Sequence, residues 1–197
     1  MITTFPGLYL TSLPFTQLFK FVETSLPFSS CSTSSLRLIN CIYSIALLFI
    51  FRLIFRKNTQ YPNVVILLSS LSCFFLPNLY FFGFLFYTDV GSTFFVFLMY
   101  YLVMNNDFIF GGLTGILALS FRQTNVIWIA FVCFLKIDEM YNLSRTNNIL
   151  QFLSVILKNI IQILRICIIQ IITILAFGIF VIWNGGIVVG MYGNPKK

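Results

Sequence analysis

Residues 64–86 read VVILLSSLSCFFLPNLYFFGFLF, and no side chain among them is charged. At a helical rise of about 1.5 Å per residue the run is long enough to cross a hydrocarbon core of about 30 Å, which predicts a membrane helix. Pro77 within it predicts a kink, which a membrane helix tolerates when neighbouring helices satisfy the freed backbone groups. The rest of the chain has the same character. Of 197 residues, 59% are apolar, 9% are charged and 25 are Phe, whereas about a quarter of a soluble domain is charged. So few charged side chains could not cover that apolar surface in water, so the solvent is lipid. The fold class is therefore all-α, a polytopic transmembrane helix bundle.

Further apolar runs lie on either side, at 38–55, 93–104, 108–121, 126–135 and 167–183. Together they predict about five or six spans, with the runs at 93–104 and 108–121 short for a full crossing. Residues 1–37 are rich in Ser, Thr and Pro and predict a lumenal loop. Residues 38–190 form the transmembrane region, and 191–197 a short C-terminal tail. Ahead of the last span, Gln151, Ser154, Lys158, Gln162 and Arg165 recur at helical spacing among Ile, Leu, Phe and Val. This narrow polar stripe fits two arrangements: a helix lying in the membrane interface, or a membrane helix whose stripe faces a partner.

Charge excludes some functions and sets the orientation. The net charge of +7 is spread along the chain rather than gathered in a patch, so it does not read as a nucleic-acid surface. If each run crosses once, Arg52, Arg56, Lys57, Lys136, Arg145, Lys158 and Arg165 fall near span ends on one side, which marks that side as cytosolic. YTDVGS at 87–92, FRQTN at 121–125 and WNGG at 183–186 then face the lumen together. The sequon Asn142-Leu143-Ser144 faces the cytosol and stays unmodified. The N-terminus has no basic n-region ahead of an apolar stretch and does not read as a signal peptide. The chain has no His, which excludes His-based catalysis and most zinc sites within it. Cysteines at 31, 41, 73, 133 and 167 are odd in number and lack CxxC spacing, so they read as inert thiols, and no metal site is expected.

Two polar clusters at span depth carry the candidate chemistry. Asp89, beside Tyr87 and Thr88, fits either an N-cap for the run that starts near Ser92 or a lumenal group binding a sugar hydroxyl or a cation. Arg122 is followed by Gln123, Thr124 and Asn125. Its planar fork of donors suits a lipid phosphate and the neighbouring amides suit hydroxyls or backbone carbonyls, while the structural alternative is a hairpin in which Arg122 snorkels to the interface. Gly111 and Gly115 form a small-xxx-small pair that predicts close helix packing.

Read in order, ITTFPGLYL at 2–10, LPNLYFFGFLFYTDVGSTFF at 76–95, FRQTNVIWIAF at 121–131 and FVIWNGGIVVG at 180–190 resemble the dolichyl-phosphate-glucose-dependent α-1,2-glucosyltransferase family. The resemblance implies part of a multi-span lipid-phosphate-sugar glycosyltransferase fold in the endoplasmic-reticulum membrane. The implied enzyme is a hexosyltransferase of the dolichol-linked oligosaccharide pathway that precedes protein N-glycosylation. It takes glucose from dolichyl phosphate glucose, with inversion, onto the diglucosylated dolichol-linked oligosaccharide and forms the terminal α-1,2-glucose. Its partners are membrane lipid and these two lipid-linked substrates, with no nucleic acid and no cofactor beyond the donor. A carboxylate would deprotonate the acceptor hydroxyl while cations stabilise the leaving lipid phosphate. On this reading Arg122, Gln123, Thr124 and Asn125 contact the donor phosphate or nearby backbone, with Asp89 and Tyr87 on the same lumenal face. Phe5 stands where the family has a second Pro. An acidic segment expected before residue 2 lies outside the chain, and after WNGG the family's acidic residue, Lys and His are replaced by Met191, Tyr192 and Gly193. The resemblance thus implies a truncated member whose catalytic base lies elsewhere. The alternative function is a non-catalytic multi-span membrane protein that binds a partner or transports a small solute.

Overall fold

The computed structural model describes residues 6–23, 33–142 and 149–184. Every regular element among those residues is a helix: α1 (Gly7–Glu23), α2 (Thr33–Asn58), α3 (Asn63–Phe74), α4 (Pro77–Gly83), α5 (Thr88–Met104), α6 (Phe108–Phe121), α7 (Asn125–Tyr141), α8 (Ile149–Lys158) and α9 (Ile160–Trp183).

Among the described residues two helices are long and apolar enough to cross a membrane, Leu36–Asn58 with a mean hydropathy of 2.2 and Ile160–Trp183 with 2.7. A third crossing is available if α3 and α4 count as one broken span, bent by 69°. The bend sits where Pro77 predicts it. Proline occupies the first turn of α4, and Leu76 before it is extended, with φ −53° and ψ 130°, because the proline ring disfavours the helical region for its predecessor. The runs at 93–104 and 108–121 fold into α5 and α6, shorter apolar helices of 17 and 14 residues.

Two boundaries differ from the sequence reading. The 1–37 stretch, read as a loop, carries helix α1, and α2 starts at Thr33 within it. Its Ser and Thr residues do not break the helix, because their hydroxyls turn back onto the chain: Thr11 Oγ1 donates to Gly7 O at 2.8 Å and Ser12 Oγ to Tyr9 O at 2.7 Å. Leu8 is buried in a core shared with Ile39 and Tyr43, a tertiary contact that composition does not reveal. The last span begins at Ile160 rather than 167, and the polar stripe ahead of it is split between α8 and α9 at Asn159. The C-terminal tail, Cys31 and both glycines of WNGG lie outside the described residues.

Glycines allow the closest packing. A Cβ on Gly111 would come within 2.6 Å of Val103 Cγ2, and one on Gly115 within 3.0 Å of Met99 Sδ, so both glycines face α5 as the small-xxx-small spacing predicts. Gly112, between them in sequence, abuts α9, where a Cβ would stand 2.5 Å from Ile169 Cγ2.

Contacts also define the two ends of the bundle. At one end Lys57 Nζ donates to Asn105 Oδ1 at 2.7 Å and to Met104 O, joining the C-terminal ends of α2 and α5. At the other end the start of α5 meets the end of α6 and the start of α7.

Candidate functional site

That second end gathers three of the four stretches that carried the resemblance. Gly7 lies against the backbone of Ser120, and Gly91 against the ring of Phe121, so closely that a Cβ on either would collide. Tyr9 meets Phe86 edge-on, with ring centroids 6.2 Å apart. Beneath them Tyr43 contacts Phe15, Phe94, Phe95 and Phe121, which makes a rigid aromatic floor. The absence of a side chain at Gly91 brings the first turn of α5 against the last residue of α6.

Asp89 sits in that first turn, and Arg122 is the residue that ends α6, with extended φ −146° and ψ 133°. Arg122 Nη1 donates to Asp89 Oδ1. The N-cap reading for Asp89 is therefore corrected: α5 begins at Thr88 with Tyr87 as its cap residue, there is no side-chain cap bond, and the carboxylate goes to Arg122 instead. A carboxylate in a first helical turn is also favoured by the helix dipole. The hairpin expected around Arg122 is present, closed by Asn125 N donating to Arg122 O at 3.1 Å. Its guanidinium does not simply snorkel. It is shared between solvent and Asp89, with side-chain exposures of 43% and 21%. At that exposure an ion pair contributes about 0–1 kcal/mol.

Thr124 and Asn125 join Asp89 and Arg122 around a cavity of about 360 Å³ between α5 and α7, whose lining also includes Tyr100 and Trp128. A second cavity of about 450 Å³ lies on the other flank of α5, against α2, α3 and α4. Asp89, Thr93 and Phe97 line both. Asn125 is committed to packing. It is 4% exposed, and its Nδ2 donates to Ser92 Oγ at 2.7 Å and Ala118 O at 2.6 Å, tying together α5, α6 and α7. Gln123 is half-buried and does not line the cavity. Tyr87 is exposed, its ring stacked on Phe82 with centroids 5.2 Å apart, and it too lies off the cavity wall.

Sequence reading missed Asn40. It is fully buried within α2, and its Nδ2 donates to Leu85 O and, at 2.8 Å, to Tyr87 O. It thereby clamps the turn that leads into Asp89, while its own Oδ1 is buried without a partner. The available signal was an amide inside the apolar run 38–55, where an uncompensated polar group is costly. Trp128 was a second signal, one helical turn beyond Thr124 and so on the same side of α7.

The sequence matches the DIE2/ALG10 family over residues 1–194. The chain belongs to that family. It is 34% identical over 218 residues to a Dol-P-Glc:Glc(2)Man(9)GlcNAc(2)-PP-Dol alpha-1,2-glucosyltransferase of Rattus norvegicus, a match covering 96% of this chain and 46% of that protein. Proteins of the same name from Homo sapiens and Candida albicans are 32% and 30% identical, covering 96% and 99% of this chain and 46% of each relative. This DIE2/ALG10 family member thus spans about half the length of the curated relatives it matches. No solved structure matches it.

Proposed function

We propose that this DIE2/ALG10 chain carries the donor-phosphate site of a dolichyl-phosphate-glucose-dependent α-1,2-glucosyltransferase in the endoplasmic-reticulum membrane. The reaction adds the terminal glucose to the diglucosylated dolichol-linked oligosaccharide before protein N-glycosylation. The observation that carries the proposal is the Asp89–Arg122 pair, set at a cavity where the stretches typical of the family converge. The names of the relatives supply the donor and acceptor classes.

Arg122 has the chemistry this role demands. A sugar phosphodiester carries one negative charge, and departure of the sugar leaves a phosphate monoester carrying up to two. A cation held at that phosphate gains interaction as charge develops and so favours the transition state over the ground state. Asp89 holds the guanidinium fork in place until the phosphate shares or replaces it. Thr124, exposed beside Arg122 on the cavity rim, offers a hydroxyl, and Gln123 an adjacent amide. Trp128 and Tyr100 give the cavity aromatic faces for the apolar sides of the donor. Asn40 and Asn125 brace this arrangement through their hydrogen bonds to neighbouring helices and turns.

The test is binding of dolichyl phosphate glucose to the purified protein in nanodiscs. Arg122→Lys is expected to weaken binding roughly ten-fold, because a compact ammonium cannot reproduce a bidentate fork. Undiminished binding by a well-folded Arg122→Lys protein would refute the assignment.

A further inference from the structure

At the opposite end of the bundle, a cleft of about 660 Å³ opens where α8 gives way to α9, walled by the start of α6 and the end of α7. Lys158 and Arg165 line it, with the amides of Asn106 and Gln162. Two other cations at this end are engaged: Lys57 caps the C-terminal end of α5, and Lys136, 4% exposed, pairs with Glu139 at 2.9 Å. Among the described residues, Lys158 and Arg165 have no carboxylate within salt-bridge distance. The same surface is strongly apolar: Ile161 is 82% exposed, Leu157 67% and Ile109 65%.

The helices explain the mixture. At 10 residues α8 is about 15 Å long, too short to cross a membrane. It ends at Asn159, whose Nδ2 donates to Val155 O at 2.9 Å while its own carbonyl accepts from Ile163 N at 3.0 Å to start α9. Lys158 therefore stands just ahead of a long apolar helix and Arg165 in its second turn, where basic side chains reach headgroups if α9 crosses a membrane.

We infer that this cleft binds the headgroup of an anionic glycerophospholipid. The phosphate sits between Lys158 and Arg165, with amide donors from Gln162 and Asn106, and the acyl chains run along Ile161 and Ile109. Charge complementarity selects the ligand. Two cations without a carboxylate partner among the described residues favour a net-negative headgroup over a zwitterionic one, whose own ammonium would repel them, and the exposed aliphatic side chains require a lipid rather than a free anion. This site is separate from Asp89 and Arg122 and is independent of the donor reading.

The test uses the chain in phosphatidylcholine nanodiscs doped with diazirine-tailed phosphatidylserine or diazirine-tailed phosphatidylcholine, with crosslinks mapped by mass spectrometry. Phosphatidylserine is expected to label residues 157–168 roughly ten-fold more than phosphatidylcholine, and Lys158→Gln with Arg165→Gln to reduce that labelling to the phosphatidylcholine level. The charge-preserving pair Lys158→Arg with Arg165→Lys should retain it, which separates charge from folding. Equal labelling by the two lipids, or labelling unaffected by the Gln pair, would overturn the inference. Competition by millimolar inorganic phosphate would also overturn it, by revealing a free-anion site.

Discussion

The guanidinium of Arg122, at the end of α6, donates to the carboxylate of Asp89, in the first turn of α5. Two residues far apart in the chain, each in a stretch that carried the sequence resemblance, thus form one polar unit at a cavity.

That unit predicts a specific response to Arg122→Lys. On the proposed function, when Arg122→Lys is placed in a full-length enzyme carrying these residues, in microsomes lacking any other family enzyme, glucose transfer should fall roughly ten-fold to a hundred-fold, the loss of a charge-assisted contact of about 1.5–3 kcal/mol in the transition state. Immunoblotting should show near-normal accumulation. Unchanged transfer, or a loss explained by failure to accumulate, would make Arg122 a structural interface residue.

Asn125 should behave in the opposite way. Asn125→Ala removes the donor to Ser92 Oγ and Ala118 O and should destabilise the bundle by about 1–3 kcal/mol, because buried acceptors lose a partner. A lower thermal midpoint in detergent, with donor binding per folded molecule preserved, is the expected pattern. A stable protein that has lost donor binding would instead place Asn125 in the site.

Gly112 sets the approach of α6 to α9. Gly112→Val should cost about 1–3 kcal/mol by overpacking against Ile169, and Ile169→Ala should recover part of that loss. Thermal unfolding of the single and double variants checks this, and additive effects would rule out direct contact between the two positions.

Orientation has its own test at Asn142. This exposed residue ends α7 in the left-handed conformation, with φ 50°, and the excess of Lys and Arg near it predicts a cytosolic position. Endoglycosidase treatment should therefore cause no mobility shift attributable to Asn142. A shift abolished by Asn142→Gln would reverse the topology.

The site was legible only in part. Arg122 and Asp89 stood out because ionisable groups among apolar runs are costly without a purpose. Their pairing was not legible, since it depends on Gly91 letting α5 lie against Phe121. Asn125 read like its neighbours Gln123 and Thr124, yet its first position in α7 turns its amide into the core, while Thr124 remains on the rim. Asn40 was hidden within an apolar run, where nothing local indicates that its partner is the turn before Asp89.

Composition and hydropathy by themselves determined that this chain is an all-helical membrane protein, because lipid leaves helices as the arrangement that satisfies such apolar segments internally. Proline placed the break between α3 and α4, since its ring acts on the residues beside it in the chain. Local rules of this kind are written along the sequence. Tertiary structure alone decided that residues 7–23 form a helix packed into the core, that Asp89 meets Arg122 rather than capping α5, and that Asn125 braces the bundle. Each of these depends on groups distant in sequence competing for the same space or the same hydrogen bond, and only the packed chain resolves that competition.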